Sequence, residues 1–185
     1  MRLPDNRRVS GRGTNARVAT TRRARRQRKN NSSVHSKKGT ARLRSAEGTF
    51  RVHNIYGDGN CLFRAVSYIL WGNEDEHRSL RTLVTNHIKS HWREYGPFVT
   101  AEWNITSPDE YFDFMISEGV FATELECTVA TKIYKMNLSI YREINDRGDV
   151  KRVFHNRLSG SYETARLLFS GRSDSGHYDV LFLDS

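Results

Sequence analysis

The charge of this 185-residue chain is divided so sharply that only part of it can build a core. Residues 1–46 hold 15 Lys and Arg against a single acid, Asp5, a net of +14, and contain no Phe, Tyr or Trp. Such a stretch buries too little apolar surface to offset chain entropy, and it is expected to stay a disordered basic tail. Residues 47–185 hold 15 basic and 20 acidic residues, a net of −5. The overall charge of +9 is thus a basic tail joined to a mildly acidic domain. A domain of this length supports one core and not two.

The densest run of the tail, Arg22-Arg23-Ala24-Arg25-Arg26-Gln27-Arg28-Lys29, is open to three readings: nuclear import, nucleic-acid contact, or plain solubilisation. No aromatic is interleaved for base stacking, which disfavours sequence-specific RNA recognition. The opening residues show no apolar run, so no secretory leader is expected, and no stretch reaches membrane-spanning length. Cys61 and Cys127 alone do not form a disulfide framework. An intracellular protein, cytoplasmic or nuclear, is expected, with free thiols and as a monomer.

Elements follow from periodicity and punctuation. Residues 50–56 alternate as a strand. Gly57-Asp58-Gly59-Asn60 is turn chemistry, and apolar residues from Cys61 to Trp71 recur at helical spacing until Gly72-Asn73. A second helix is expected over 74–92, with Glu74, Asp75 and Glu76 as N-terminal charges and Pro97 breaking the chain after it. Ser107-Pro108, with Glu110 completing a capping box, opens a third helix that ends at Gly119. A fourth spans about 123–134. Strands follow at 138–141, 150–154, 166–169 and 178–183, with a hairpin turn at 146–149. Helices first and sheet last predict an α+β domain.

The chemistry concentrates in two places. Cys61 stands where a glycine turn becomes a helix, and unpaired N–H groups at a helix start favour a thiolate. N–H groups of the loop, near Asp58 and at Cys61 itself, are placed to bind an oxyanion. His177 and Asp179 are two apart in a strand and so share a face, where the carboxylate can orient the imidazole toward Cys61. Asp58 either braces the loop or polarises a catalytic partner; Gly59 and Asn60 shape the loop. Cys127 falls in an apolar helical pattern and reads as core. His87 and His91 sit one turn apart but lack further ligands nearby, which favours packing over zinc. No metal or organic cofactor is expected.

These residues resemble the ovarian-tumour (OTU) family of cysteine proteases, the otubain-like deubiquitinases. Its nucleophile motif stands unbroken as Asp58-Gly59-Asn60-Cys61-Leu62-Phe63-Arg64. His77, Leu80, Arg81 and Val84, the segment Glu124-Leu125-Glu126 and the closing His177-Tyr178-Asp179 are also similar to the family. The resemblance spans about residues 47–185 and implies a papain-like fold, with helices on a small, mostly antiparallel sheet. It implies cleavage after the C-terminal glycine of ubiquitin or a ubiquitin-like modifier, with ubiquitin or polyubiquitin as partner. Cys61 would be the nucleophile, His177 the base, Asp179 the orienting acid and the Asp58 loop part of the oxyanion hole. Phe121-Ala122 stands where many members carry Trp-Gly, near the substrate channel. Two alternatives stay open: a viral or mobile-element polyprotein protease of the same fold, and a catalytically dead ubiquitin-binding module.

Overall fold

The computed structural model describes residues 42–172 and 175–184. Its elements, in chain order, are β1 (Arg42–Ser45), β2 (Gly48–His53), α1 (Cys61–Trp71), α2 (His77–Ser90), α3 (Trp92–Trp103), α4 (Pro108–Met115), α5 (Glu124–Ile133), β3 (Asn137–Glu143), β4 (Val150–Asn156), β5 (Thr164–Ser170) and β6 (His177–Leu183). The six strands form one sheet in the order β1-β2-β6-β5-β3-β4. Among the described residues β3 and β5 run parallel and the other pairings are antiparallel. This is the α+β, papain-like architecture expected, with helices gathered against a mostly antiparallel sheet.

The larger core lies between helices and sheet. Leu62, Phe63, Val66, Leu80, Val84 and Ile88 come from the first two helices and meet Leu138, Ile140, Leu167 and Val180 from the sheet. A smaller cluster of Leu43, Phe50, Tyr141, Val150, Leu168 and Leu181 forms on the opposite side. It exists because the sheet curls until its two ends touch. Arg44 N donates to Gly148 O at 2.8 Å, Arg44 bridges Asp149 in parallel register, and their side chains pair at 2.9 Å.

That closure corrects the expected domain boundary. Residues 42–45 belong to the folded unit, not to the tail, because Leu43 is 3 % exposed in the second cluster. The rest of the expected tail, including the Arg22–Lys29 run, lies outside the described residues. Among the described residues no helix is long and apolar enough to cross a membrane.

Two further expectations change in physical detail. Pro97 does not break the chain but sits inside α3. The carbonyl it leaves without a helical partner belongs to Arg93; both residues are exposed, so water can take the place of the lost donor. At Ser107 only half a capping box forms: its side chain accepts from Glu110 N at 3.4 Å, and α4 stops at Met115, short of Gly119. The complete box is at α5, where Thr123 and Glu126 cap each other.

Candidate active site

Cys61 is the first residue of α1, and α1 packs against β6, the strand that carries His177 and Asp179. The turn before it is built around Gly59, whose φ of +87° suits glycine. A Cβ there would lie 2.6 Å from the Gly119 Cα, so the two loops meet backbone to backbone. Asn60 occupies the N-cap position, yet no side chain caps the first turn of α1. The first helical bond runs from Arg64 N to Asn60 O at 2.9 Å. The N–H groups of Cys61, Leu62 and Phe63 precede it and carry the helix's positive end.

His177 opens β6 in the centre of the sheet, between β2 and β5. Its Nε2 lies 3.0 Å from Asp179 Oδ1, two residues on and on the same face of the strand. That oxygen also accepts from Ile55 N at 2.8 Å, so the acid is fixed by the segment leading into the nucleophile loop. The ring lies against the bare backbone of Gly57, and it hydrogen-bonds the thiol of Cys61. Burial works against a charged imidazole here. The hydrogen bonds to Asp179 and Cys61, and the negative charge each can carry, outweigh it and raise the His177 pKa to about 10. A protonated imidazole is the companion that a thiolate needs.

Cys61, His177 and Asp179 thus come together from positions more than a hundred residues apart. Asp58 does not join them. Its Oδ1 accepts from Asn60 N at 2.9 Å, and its Oδ2 pairs with Arg64 Nη2 at 2.7 Å. Burial would raise its pKa, but the bonds from Arg64 and Asn60 and the Arg64 charge prevail and hold it at about 2. It is therefore a permanent anion inside the loop. Asn60 is 8 % exposed and its side chain joins the same network.

Residues beyond the cluster complete its surroundings. Glu74 lies before α2, not within it; it reaches Arg64 at 3.5 Å and accepts from Tyr56 N at 3.4 Å. Arg81 is buried beneath the loop and bonds Gly59 O and Asn60 Oδ1. In the sequence Arg81 stands out as a cation among the apolar positions Leu80, Val84 and Ile88 and as one of the residues similar to the family, but neither signal names its partners. Cys127 is core as expected, fully buried, and burial followed by the nearby Glu126 and Glu124 charges drives its thiol pKa up. His87 and His91 stack at 4.2 Å, and the described residues contain no cluster of three or more metal-ligating side chains.

A groove of about 830 Å³ adjoins the cluster. Neither Cys61 nor His177 lines it, but Tyr178 and Phe121 do, their rings stacked at 6.2 Å. Phe98 and Leu125 add apolar surface, and Glu94, Glu102 and Glu124 place carboxylates along it. Phe121 and Ala122 therefore lie near the groove, with Phe121 as part of its wall.

The family model for OTU-like cysteine protease matches residues 56–178. The ovarian tumor domain-containing deubiquitinating enzyme 7 of Arabidopsis thaliana is 26 % identical over 129 residues, which are 70 % of this chain and 32 % of that protein. The chain spans about a third or less of the length of that protein and of OTU domain-containing protein 1 of Mus musculus, 32 % and 28 %. Among solved structures, the OTU domain of OTUD1 superposes with a TM-score of 0.61 at 23 % identity, covering 72 % of this chain and 85 % of that one. The Hazara virus OTU bound to ubiquitin gives a TM-score of 0.55 at 22 % identity, with coverages of 74 % and 82 %.

Proposed function

Because the chain belongs to the OTU-like cysteine protease family, we propose that it hydrolyses the isopeptide bond after the C-terminal glycine of ubiquitin or a ubiquitin-like modifier. Cys61 is the nucleophile, His177 the proton carrier and Asp179 the residue that orients it. The observation that carries the reading is the relay itself: the Asp179 carboxylate 3.0 Å from one nitrogen of an imidazole that hydrogen-bonds the Cys61 thiol.

The steps follow from the charges. In the reactive form of the site His177 has taken the thiol proton of Cys61, giving a thiolate beside an imidazolium that Asp179 stabilises. The thiolate attacks the glycine carbonyl, and the N–H groups at the start of α1 receive the developing oxyanion. The imidazolium gives its proton to the departing lysine amine, which leaves a thioester on Cys61. Water, deprotonated by the now neutral His177, hydrolyses that thioester and restores the pair. Asp58 acts on the loop and not on the proton: its carboxylate faces Asn60 and Arg64. No step calls for a metal or an organic cofactor.

The groove supports the choice of substrate. Its apolar wall and the carboxylates of Glu102 and Glu124 suit an extended tail that carries arginines, as the ubiquitin tail does, while Glu94 is paired with Lys132 on the same rim. Ubiquitin or polyubiquitin is accordingly the proposed partner.

The test is to incubate the purified chain with ubiquitin bearing a C-terminal electrophile and to weigh the product. We expect a covalent adduct with the wild type and none with Cys61→Ala. A folded wild type that forms no adduct would defeat the ubiquitin assignment and favour a polyprotein substrate for the same chemistry.

A further inference from the structure

Arg81 is a cation buried where no carboxylate touches it. It is 4 % exposed, on the core face of α2. Its Nη1 donates to Met115 O at 2.8 Å, at the end of α4. Its Nη2 lies 2.9 Å from Asn60 Oδ1, 3.2 Å from Gly59 O and 2.9 Å from Val120 O. The guanidinium rests over the Phe63 ring, 4.5 Å from its centroid. All four oxygens are neutral, so the cost of burying this charge is met by these hydrogen bonds and by the more distant Glu126 and Asp58 carboxylates, not by an ion pair in contact. Its acceptors come from two separate loops, the one before Cys61 and the one from Met115 to Val120. Those loops already touch at Gly59 and Gly119.

The fork controls which way the peptide groups point. A trans peptide directs its C=O and N–H in opposite directions. With Gly59 O turned inward to Arg81, Asn60 N–H points the other way, and it meets Asp58 Oδ1 at 2.9 Å. Asn60 is gripped by Arg81 through its side-chain oxygen and by Arg64 N through its main-chain oxygen. The second bond lies along α1, so the N–H of Cys61 is directed back out of the helix, toward the reacting carbonyl.

We propose that Arg81 is a positioning residue that fixes the oxyanion-binding N–H of Cys61 by fastening the Gly59–Asn60 turn to the Met115–Val120 loop. The inference rests on the acyl-transfer reading of Cys61. Lysine cannot replace it, because Nη2 alone already serves Gly59 O, Asn60 Oδ1 and Val120 O, and only a fork adds Met115 O through a second nitrogen, whereas one ammonium has three donors for four oxygens.

Arg81→Lys keeps the charge and removes the fork. In the full chain we measure kcat and KM on ubiquitin carrying a fluorogenic C-terminal amide, and the rate of Cys61 alkylation by iodoacetamide against pH. Displacement of iodide passes through no oxyanion, so it reads the thiolate and His177 without the turn. We expect kcat to fall about 10- to 100-fold with KM within about twofold of wild type, and the alkylation profile to be unchanged. An unchanged kcat, or alkylation falling in step with hydrolysis, would overturn the proposal. Should Arg81→Lys fail to fold, Asn60→Ala, which cuts one link and leaves Arg81 its three carbonyls, must give the same pattern; a normal kcat there overturns it equally. If the wild type itself does not turn over the ubiquitin substrate, the modifier reading fails and this one does not. The same comparison then runs on p-nitrophenyl acetate, whose ester also forms a tetrahedral oxyanion at Cys61.

Discussion

Asp179 serves two neighbours with one oxygen, His177 Nε2 at 3.0 Å and Ile55 N at 2.8 Å. Replacing it by Asn keeps an acceptor oxygen and removes the charge. We expect Asp179→Asn to lower kcat about tenfold and to move the alkaline limb of the pH–rate profile toward neutrality, since the imidazolium loses its anion. A steady-state profile checks both, and an unmoved alkaline limb would refute the charge role. Linkage gives a second handle. The His177 pKa rises from 6.5 to about 10 on folding, so the stability it contributes is whole below pH 6.5 and is lost as pH climbs through 10. Wild-type Tm is therefore expected to fall over that window relative to His177→Ala in thermal scans. Asp58 behaves in the opposite sense. Its pKa falls from 3.8 to about 2, so its contribution is present above pH 3.8 and drains away toward pH 2. At this scale the cluster of Cys61, His177 and Asp179 was legible in the sequence, because a turn motif and a two-residue strand spacing are local. The partners of Arg81 were not legible, and Glu74 reads as a helix N-terminal charge when it in fact reaches Arg64 and Tyr56, since those partners lie in other segments that no local pattern names.

Among the elements, α5 depends on one buried carboxylate. Glu126 is fully buried and accepts from Tyr111 Oη at 2.7 Å, Thr123 N at 2.6 Å and Thr123 Oγ1 at 2.8 Å. Glu126→Ala strands a buried phenol and the helix's own N-cap amide. A loss of about 3 kcal/mol is expected, read as a lower urea midpoint at unchanged m-value. Gly59→Ala should be felt in both stability and turnover, because its Cβ would press on the Gly119 backbone at 2.6 Å while holding φ at +87°. A melt and a kcat measurement on that variant check it; a fully active, equally stable protein would mean the loops are free to part. Helix α1 was readable because its apolar period ends at the Gly72 cap, and α5 from its apolar period alone. α3 was not, because Pro97 is a strong stop signal that the structure defeats by exposing it on a solvated face. The capping box was assigned to Ser107 from spacing alone, and spacing does not say whether Glu110 turns back.

For the molecule as a whole, the α+β class was legible from the order of elements, but the curl of the sheet was not. Nothing in Arg42-Leu43-Arg44-Ser45 marks it as folded: three polar residues and one leucine read as more tail. Its strand character comes from pairing with β2 and from the Tyr141 and Val150 side chains that Leu43 covers. Leu43→Ala should therefore cost about 2–3 kcal/mol. A chain begun at Glu47 should melt well below the full chain, and equal melting temperatures would show the hairpin to be dispensable. The seam between Arg44 and Asp149 also settles how the sheet ends. An open strand edge is a template for any extended polypeptide. Here one end of the sheet is folded onto the other, and along β4 the outward residues include Lys151, Arg152 and His155. On the proposed reading, an extended client held in the cleft is thereby kept from annealing along the flank, and it can leave once cut.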